Sequence, residues 1–204
     1  MFSGDSIIWI LFAVPSILIA STVHEYFHAW SAYKLGDPTA KAEGRLTLNP
    51  LAHIDPIGAI MMVLFRFGWS KPVPINEWNF DNRRRGKALT ALAGPVSNLV
   101  LAALTGLLYQ FLSGYELIAF SLYTFAIINI SLAVFNVIPI PPLDGHKIIN
   151  AVLPRRISIW WESLEKYSWV LILLLLIPFS PLSGILSSYI NTVLSFFLRL
   201  FGFL

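Results

Sequence analysis

Residues 7–28 of this 204-residue chain read IIWILFAVPSILIASTVHEYFH, and this stretch decides the fold class. Nearly all of it is apolar, but its last five residues are His-Glu-Tyr-Phe-His. A membrane-spanning helix needs about 20 consecutive, mainly apolar residues. The stretch therefore predicts a spanning helix whose last turns hold two histidines and a glutamate.

A cleaved secretory signal peptide is the alternative interpretation of this opening. Such a peptide begins with basic residues and ends at a small-residue cleavage site. Here Asp5 precedes the apolar run, no Lys or Arg does, and the run continues directly into residues 24–28. We therefore interpret the stretch as a helix that the mature protein retains.

The composition supports an integral membrane protein. Hydrophobic residues make up 56% of the chain and charged residues only 12%, with a mean hydropathy of +0.70, whereas soluble domains are about 25% charged. This composition excludes a cytosolic enzyme, a nucleic-acid-binding module and a disordered chain. There is no cysteine, so disulfides and thiolate chemistry are excluded, and a metal would have to bind His, Asp or Glu.

The apolar runs predict an all-α polytopic membrane protein with about five to six transmembrane helices. The five full runs are about Ser6–Leu35, Lys87–Leu112, Tyr115–Ile138, Tyr167–Phe179 and Ser183–Phe203. A further patch, Ile57–Phe67, is only about half a span and is flanked by Pro56 and Gly58. It predicts a short helix or a re-entrant segment, which is tolerated where protein or a water-filled cavity covers it.

Between the first helix and that patch, polar residues alternate along the chain. They are Thr39, Lys41, Glu43, Arg45 and Thr47. A period of two is typical of a strand with one solvent-facing side, so we expect a short membrane-associated β-hairpin around residues 41–47. The whole chain, 1–204, is predicted to be one domain, with a core over residues 6–153 and a C-terminal helical pair over residues 159–204.

The pentapeptide at residues 24–28 is an H-E-x-x-H motif. On a helix, positions i and i+4 share a face, so His24 and His28 can bind one zinc ion while Glu25 stands beside a bound water. From the His and Glu content of this chain, the motif is expected by chance about 0.002 times. The alternative is two histidines packed in a helix bundle, with a glutamate reaching to the headgroups. Ionisable groups cost about 2.5–3.5 kcal/mol each at the centre of a bilayer, which favours a functional site.

A catalytic zinc site uses three protein ligands and a water, so one ligand is missing from the motif. The other candidates are Glu43, His53, Asp55, Asp144 and His146. Asp144 is the best placed, because it ends the run Asn-Val-Ile-Pro-Ile-Pro-Pro-Leu-Asp directly after a membrane helix, and the prolines hold that chain extended. The alternative is a helix terminator followed by an N-capping aspartate.

These motifs resemble those of the site-2 protease family of intramembrane zinc metalloproteases. Residues 24–28 resemble its H-E-x-x-H, residues 94–98 its G-P-x-x-N, and residues 136–145 its N-x-x-P-x-P-x-L-D-G. The stretch 44–56 is similar to a small prokaryotic branch of the family, and the chain shows neither the PDZ nor the CBS domain that many relatives carry. The resemblance covers about residues 17–152.

The resemblance implies one Zn2+ per chain, bound by His24, His28 and Asp144. Glu25 would be the catalytic residue, acting as general base and then as general acid. The enzyme would be a zinc metalloendopeptidase that hydrolyses peptide bonds within or near transmembrane segments. Its partners would be a transmembrane protein or peptide substrate and the lipid bilayer, with no nucleic acid.

Substrate binding is assigned to Asn136 and, in the related branch, to His53. The carboxamide of Asn136 could hold an unwound peptide backbone or support an oxyanion. Two other asparagines lie in apolar runs. Asn98 is expected to be mainly structural, and Asn129 is expected to link helices by a hydrogen bond worth about 0.6 kcal/mol. His146 is expected to be solvated at the membrane surface.

Two other functions remain as alternatives: a non-catalytic zinc-binding membrane protein and a small transporter. A glutamate that binds no metal argues against the first, and the presence of one broken helix rather than a pair argues against the second. The apolar runs predict a multi-pass membrane protein, the family resemblance implies a prokaryotic cell membrane, and the positive-inside rule predicts its orientation. If 57–67 dips in and returns, all 14 Lys and Arg lie on the cytoplasmic side, with the N-terminus outside and the zinc toward the cytoplasm.

Overall fold

The computed structural model describes residues 7–65, 68–176 and 181–204, and the described chain is built from α-helices and short turns. The α-helices are α1 (Ile7–Lys34), α2 (Thr39–Ala42), α3 (Pro56–Phe65), α4 (Arg83–Leu112), α5 (Glu116–Asn136), α6 (Asp144–Val152), α7 (Arg155–Glu162), α8 (Ser168–Leu176) and α9 (Pro181–Leu200). Single 3-10 turns lie at Pro50–Ala52, Glu77–Asn79 and Ser163–Tyr167.

Three of these helices, α1, α4 and α5, are long and apolar enough to cross a membrane. They pack against one another in all three pairings, and α6 packs on α4 while α9 packs on α5. Small buried residues, among them Ala20, Ala102 and Ala126, bring the helices close together, as is common in membrane bundles. The apolar helices and the packing support a membrane protein, with three of the five predicted spans present at full length.

The other two predicted spans are shorter in the described residues. The fourth, Tyr167–Phe179, contains the nine-residue α8, and residues 177–179 lie outside the described residues. The fifth, Ser183–Phe203, overlaps α9, which begins at Pro181 and ends at Leu200. The end of α9 packs with Phe203 against a cluster that includes Ile130 and Val134 of α5. The number of spanning helices beyond three therefore stays a prediction.

Helix α4 has an outward side that is apolar and an inward side that is polar. Its outward side carries exposed apolar residues: Val96, Val100, Leu104, Leu107, Leu108 and Phe111. Its buried side carries small and polar residues, including Thr90, Gly94, Asn98 and Thr105. Apolar groups that face outward and polar groups that face inward suit a helix whose surroundings are lipid. The polar site described below lies on this inward side.

The prediction of a β-hairpin over residues 41–47 is wrong for the described residues. Residues 39–42 form the short helix α2, and no strand occurs in the described ranges, where the one ladder contact is an isolated antiparallel bridge between Ile54 and Ser70. The side chain of Asp37 contributes to the difference, because it accepts a hydrogen bond from the backbone N–H of Thr39 at 3.1 Å, a local turn just before α2 that competes with extended chain.

Asp37 also ties this turn to a later loop. Its carboxylate accepts hydrogen bonds from the backbone N–H of Asn76 at 2.7 Å and from the side-chain amide of Asn79 at 2.8 Å. Burial alone would raise the pKa of Asp37, but these bonds and those from Thr39 outweigh it and hold the pKa below its usual value. Asp37 is therefore a charged anchor between the end of α1 and residues 76–79.

The apolar patch at 57–67 forms the ten-residue helix α3, and residues 66–67 lie outside the described residues. At about 1.5 Å per residue the helix is about 15 Å long, half the thickness of a bilayer core. Asp55 begins it by accepting a hydrogen bond from the N–H of Gly58 at 2.8 Å. The patch is thus a short helix that is too short to span.

Candidate metal centre

His24 and His28 lie one turn apart on α1, and both rings point at the same carboxylate oxygen. The Nε2 atoms of His24 and His28 lie 3.1 and 3.0 Å from Oδ2 of Asp144. All three side chains are buried, with 5%, 6% and 5% of their residue surfaces exposed. Helical periodicity places the two histidines on one face, and the packing of α6 on α4 brings Asp144 to them.

The spacing of these three atoms fits a zinc ion. The ligand atoms lie within 4.8 Å of one another. In a tetrahedral site with zinc–ligand bonds near 2.0–2.1 Å, neighbouring ligand atoms are about 3.3 Å apart, close to the two distances to Asp144. Two imidazoles and one carboxylate also form a donor set that zinc uses. His24, His28 and Asp144 could therefore hold a zinc ion, and no other such group of His, Asp and Glu occurs among the described residues.

Asn98 of α4 fixes the ring of His24. Its side-chain nitrogen donates to the carbonyl of Ala20 at 3.0 Å and to Oδ1 of Asn129 at 2.9 Å. The amide oxygen therefore faces His24, whose Nδ1 lies 2.6 Å away and must carry the proton. Nε2 is then the free lone pair, directed at the shared site. Asn98, expected to be mainly structural, thus orients a candidate ligand, while Asn129 holds Asn98 in place.

His28 is oriented in the same way by the backbone of α4. Its Nδ1 lies 2.7 Å from the carbonyl oxygen of Thr90, which can only accept, so Nδ1 donates and Nε2 is free. Gly94, one turn further along α4, lies against both imidazoles, and a Cβ at that position would overlap the His28 ring and crowd His24. The G-P-x-x-N motif therefore supplies both the space for the rings and the amide that orients one of them.

Asp144 is the first residue of α6, and its side chain does not cap that helix. The N-capping alternative is therefore excluded for this carboxylate. One oxygen, Oδ2, faces the two histidines, and the other, Oδ1, lies 3.5 Å from the ammonium of Lys147 one turn later. A ligating carboxylate is commonly held through its second oxygen, so Lys147 supports the orientation of Asp144.

Glu25 lies beside the two histidines but does not belong to the ligand group. The residue is buried, with 8% of its surface exposed. The hydroxyl of Ser70 donates to its Oε1 at 2.7 Å, and the backbone N–H of Val73 donates to its Oε2 at 3.1 Å. Glu25 is therefore a buried carboxylate that two donors hold in place next to the candidate ligands.

The remaining ligand candidates lie elsewhere. Glu43 is exposed and Asp55 caps α3. His53 is buried and its Nε2 donates to the carbonyl of Thr47 at 2.8 Å. His146, expected to be solvated, is instead 1% exposed and stacks on Trp161 with ring centroids 5.2 Å apart. None of these four side chains joins the metal group.

Asn136 ends α5, and its side-chain nitrogen donates to the carbonyl of Leu132 in the same helix at 2.9 Å. No contact links it to the three candidate ligands among the described residues. Its assignment to substrate binding therefore stays a prediction, as does that of His53.

A cavity of about 180 Å3 opens beside the metal group. Its wall includes His28 and Asp144 together with Val73, Ile75, Phe80 and Thr90. The hydroxyl of Thr90 is buried and has no hydrogen-bond partner among the described residues. The wall also carries the charged side chains of Glu77, Lys87 and Lys147. The cavity thus offers both apolar and charged groups next to the candidate zinc site, which suits a bound peptide.

Several of these contacts were not expected from the sequence. Ser70, Val73, Thr90 and Lys147 belong to none of the motifs quoted above. Lys147 could have been noticed, because a residue three positions after Asp144 shares its helical face. Ser70 and Val73 lie in an irregular loop, and no pattern in the sequence indicates that it meets Glu25.

Comparisons with known proteins also indicate a family of zinc metalloproteases. The family model described as "Peptidase family M50" matches residues 115–179, which include the Asn136–Gly145 motif. A Bacillus subtilis protein named "Putative zinc metalloprotease YwhC" is 36% identical over 201 residues, which cover 94% of this chain and 91% of that protein.

Two further relatives are more distant. "Putative zinc metalloprotease Rip2" of Mycolicibacterium smegmatis is 27% identical over 82% of this chain and 67% of its own length. "Zinc metalloprotease MJ0392" of Methanocaldococcus jannaschii is 28% identical over 75% of this chain but only 37% of its own length. No solved structure matches the chain.

Proposed function

The chain belongs to peptidase family M50, the site-2 protease family, and from that premise we propose that it is an intramembrane zinc endopeptidase. Its substrates would be peptide bonds within or near the transmembrane segments of other proteins. The observation that carries the proposal is the convergence of His24, His28 and Asp144 beside Glu25. The two histidines and Glu25 belong to a helix long and apolar enough to span a membrane, and Asp144 reaches them from α6.

The number of ligands favours a catalytic site over a structural one. Structural zinc sites are usually closed by four protein ligands, whereas catalytic sites use three and keep one position open. The described residues bring three together, and the adjoining cavity gives access to them. The alternative of a non-catalytic zinc protein would leave the buried carboxylate of Glu25, next to the ligands, with no part in the zinc chemistry.

The hydrolysis can be assigned to residues of this chain. A zinc ion on the three ligands would supply Lewis acidity to the scissile carbonyl and to a water molecule. Glu25 would take one proton from that water as its oxygen bonds to the carbonyl carbon, and would deliver the proton to the departing nitrogen as the C–N bond breaks. Lys147 and Asn98 would keep Asp144 and His24 in position throughout.

The substrate has to unwind before it can be cut, since a helix uses its carbonyl groups in its own hydrogen bonds. The part of the cavity wall formed by Val73 and Ile75 would contact an apolar substrate side chain next to the scissile bond, while Glu77, Lys87 and Lys147 line the remainder with charged groups. Asn136 and His53 would contact the unwound backbone. In the membrane, the protein would be multi-pass, with its N-terminus outside and the zinc toward the cytoplasm of a prokaryotic cell.

The test uses purified protein in detergent with zinc, and a fusion of two soluble reporter domains joined by an apolar helix of about 20 residues. We expect the wild-type protein to cut within the apolar helix. Glu25→Gln should keep its zinc and lose turnover, because the glutamate moves protons and is not a ligand. The matched control is Glu43→Gln, the same change at an exposed residue, and it should cut normally.

Cutting by Glu25→Gln at the wild-type rate would refute the mechanism. Cutting confined to the soluble reporters would support a peptidase but not an intramembrane one.

A further inference from the structure

Residues 69–76, here called the covering segment, pass across α1 at the position of Glu25. The segment contains no helix, and its one ladder contact is the bridge between Ser70 and Ile54. Val73 is buried, with 8% of its surface exposed, and Val73 and Ile75 line the cavity beside His28 and Asp144. The covering segment is therefore part of the wall of the site, although it contributes no metal ligand.

Each oxygen of the Glu25 carboxylate accepts one hydrogen bond from the covering segment. Oε1 accepts from the hydroxyl of Ser70 at 2.7 Å, and Oε2 accepts from the N–H of Val73 at 3.1 Å. Two donors on different oxygens fix both the position of the carboxylate and the plane of its three atoms. Each oxygen has two lone pairs, so one on each remains available for a water molecule or a proton.

The covering segment is itself anchored to the loop between α1 and α3. The N–H of Lys71 donates to the carbonyl of His53 at 2.8 Å, and the carbonyl of Lys71 accepts from the buried guanidinium of Arg45 at 2.6 Å. At Gly58, a Cβ would overlap the carbonyl oxygen of Trp69. Residues 45–58 therefore contact the covering segment at Trp69 and at Lys71. These are the two residues on either side of Ser70, so the backbone of Ser70 is held in place.

The far end of the covering segment is held as well. The N–H of Asn76 donates to Asp37, which lies just beyond the end of α1. One end of the segment is thus tied to residues 45–58 and the other to Asp37 after α1, and its middle meets Glu25 on α1. Such a closed set of contacts restricts how far Ser70 can move relative to Glu25.

We propose that Ser70 is a positioning residue for Glu25, and that the covering segment holds the carboxylate in the orientation needed for proton transfer. The proposal rests on the proposed function, because it assigns Ser70 to the same site. Proton transfer requires the base within about 2.6–3.2 Å of the proton donor, and a shift of about 1 Å can cost about 100-fold in rate. A free glutamate side chain, with three rotatable bonds, would sample several orientations instead.

The first test compares Ser70→Ala with Ser70→Thr on the fusion substrate described above. Ser70→Ala should lower kcat about 10–100-fold, with KM and zinc content unchanged, because the ligands and the cavity remain. Ser70→Thr retains a hydroxyl and should restore most of the rate. The control is Ser163→Ala, which removes an exposed hydroxyl bonded only to the local carbonyl of Trp160, and it should leave kcat unchanged.

Wild-type kcat in Ser70→Ala would overturn the proposal. So would an equal loss of rate and zinc in both Ser70 variants, since that pattern indicates a role in folding.

The second test does not depend on activity. In a double-mutant cycle followed by thermal unfolding in detergent, Ser70→Ala should lower Tm by about 2–4 °C in the wild-type background. The same change should lower Tm by less than about 1 °C once Glu25→Ala has removed the acceptor. Equal shifts in both backgrounds would show that Ser70 does not act through Glu25.

The two tests separate the two claims. If the wild-type protein binds zinc but leaves the fusion uncut, the proposed function fails for that substrate. The cycle of Tm values still decides whether Ser70 holds Glu25.

Discussion

Nδ1 of His24 lies 2.6 Å from the side-chain oxygen of Asn98, although 74 residues separate the two in the sequence. The two amide protons of Asn98 are used by Ala20 and Asn129, so the oxygen has to face the imidazole. The hydrogen bond places the proton of His24 on Nδ1 and turns Nε2 toward Asp144. A residue in the middle of one membrane helix thus decides which nitrogen of another helix is available to a metal.

Asn98→Ala should weaken zinc binding about 10–100-fold, because His24 loses the partner that sets its tautomer and ring orientation. The measurement is a competition titration with a zinc chelator. Asn136→Ala is the matched control, since its amide donates to its own helix, and its zinc affinity should equal that of the wild type. Equal affinity in Asn98→Ala would show that the hydrogen bond does not tune the ligand.

Gly94→Ala should abolish stoichiometric zinc binding, because the added methyl group would overlap the imidazole of His28. Gly114→Ala makes the same change where nothing lies within 4 Å, and it should bind zinc normally. Both purified proteins are analysed for metal by mass spectrometry. A full equivalent of zinc in Gly94→Ala would mean that α1 and α4 are not packed as described.

Asp144→Ala should lose the zinc ion, whereas His53→Ala should keep about one equivalent per chain. The reason is geometric, because Asp144 Oδ2 lies about 3 Å from both histidine Nε2 atoms, while His53 bonds to Thr47. Tight, full zinc in Asp144→Ala would identify a different third ligand.

Asp37 should stabilise the fold in a pH-dependent way. Its pKa is lower in the folded protein than in the unfolded chain, so the charged form stabilises the protein above about pH 4. This contribution is lost as the pH falls through the folded pKa. The Tm difference between the wild type and Asp37→Asn should therefore be largest near neutral pH and shrink below about pH 4. A difference that stays constant with pH would contradict this assignment.

The proposed orientation can be tested with single cysteines, because the chain has none of its own. The α4–α5 turn at Ser113 should lie outside the cell and the exposed residue Asp81 inside. In intact bacteria, a membrane-impermeant thiol reagent should label Ser113→Cys and leave Asp81→Cys unlabelled. The neighbouring residue Asn82 is left unchanged because its side chain caps α4. The reverse labelling would invert the topology.

The sequence by itself determined the features that depend on local patterns. Apolar runs predicted α1, α4 and α5, since the need to satisfy backbone groups in lipid makes a long apolar run helical. The spacing in His24–His28 placed two imidazoles on one helical face, and the rigid prolines before Asp144 indicated a fixed carboxylate. The family resemblance implied three ligands, and the structure brings the same three side chains together as a group that could hold a metal.

The alternation of polar residues over residues 41–47 led to a wrong prediction. A polar residue at every second position is typical of a strand, but here the pattern occurs without one. The side chain of Asp37 forms a local turn by accepting the N–H of Thr39, and side-chain-to-backbone bonds of this kind compete with strand pairing. The contact with Asn76 and Asn79, far along the chain, then stabilises that choice.

Only the tertiary structure decided how the site is supported. The bond from His24 to Asn98, the space that Gly94 leaves for both rings, and the contact of Ser70 with Glu25 each join residues more than 40 positions apart. Such contacts depend on the depth and rotation at which α1 and α4 pack and on the path of an irregular loop. Hydropathy and helical period describe one segment at a time, so they contain no information about these relative positions.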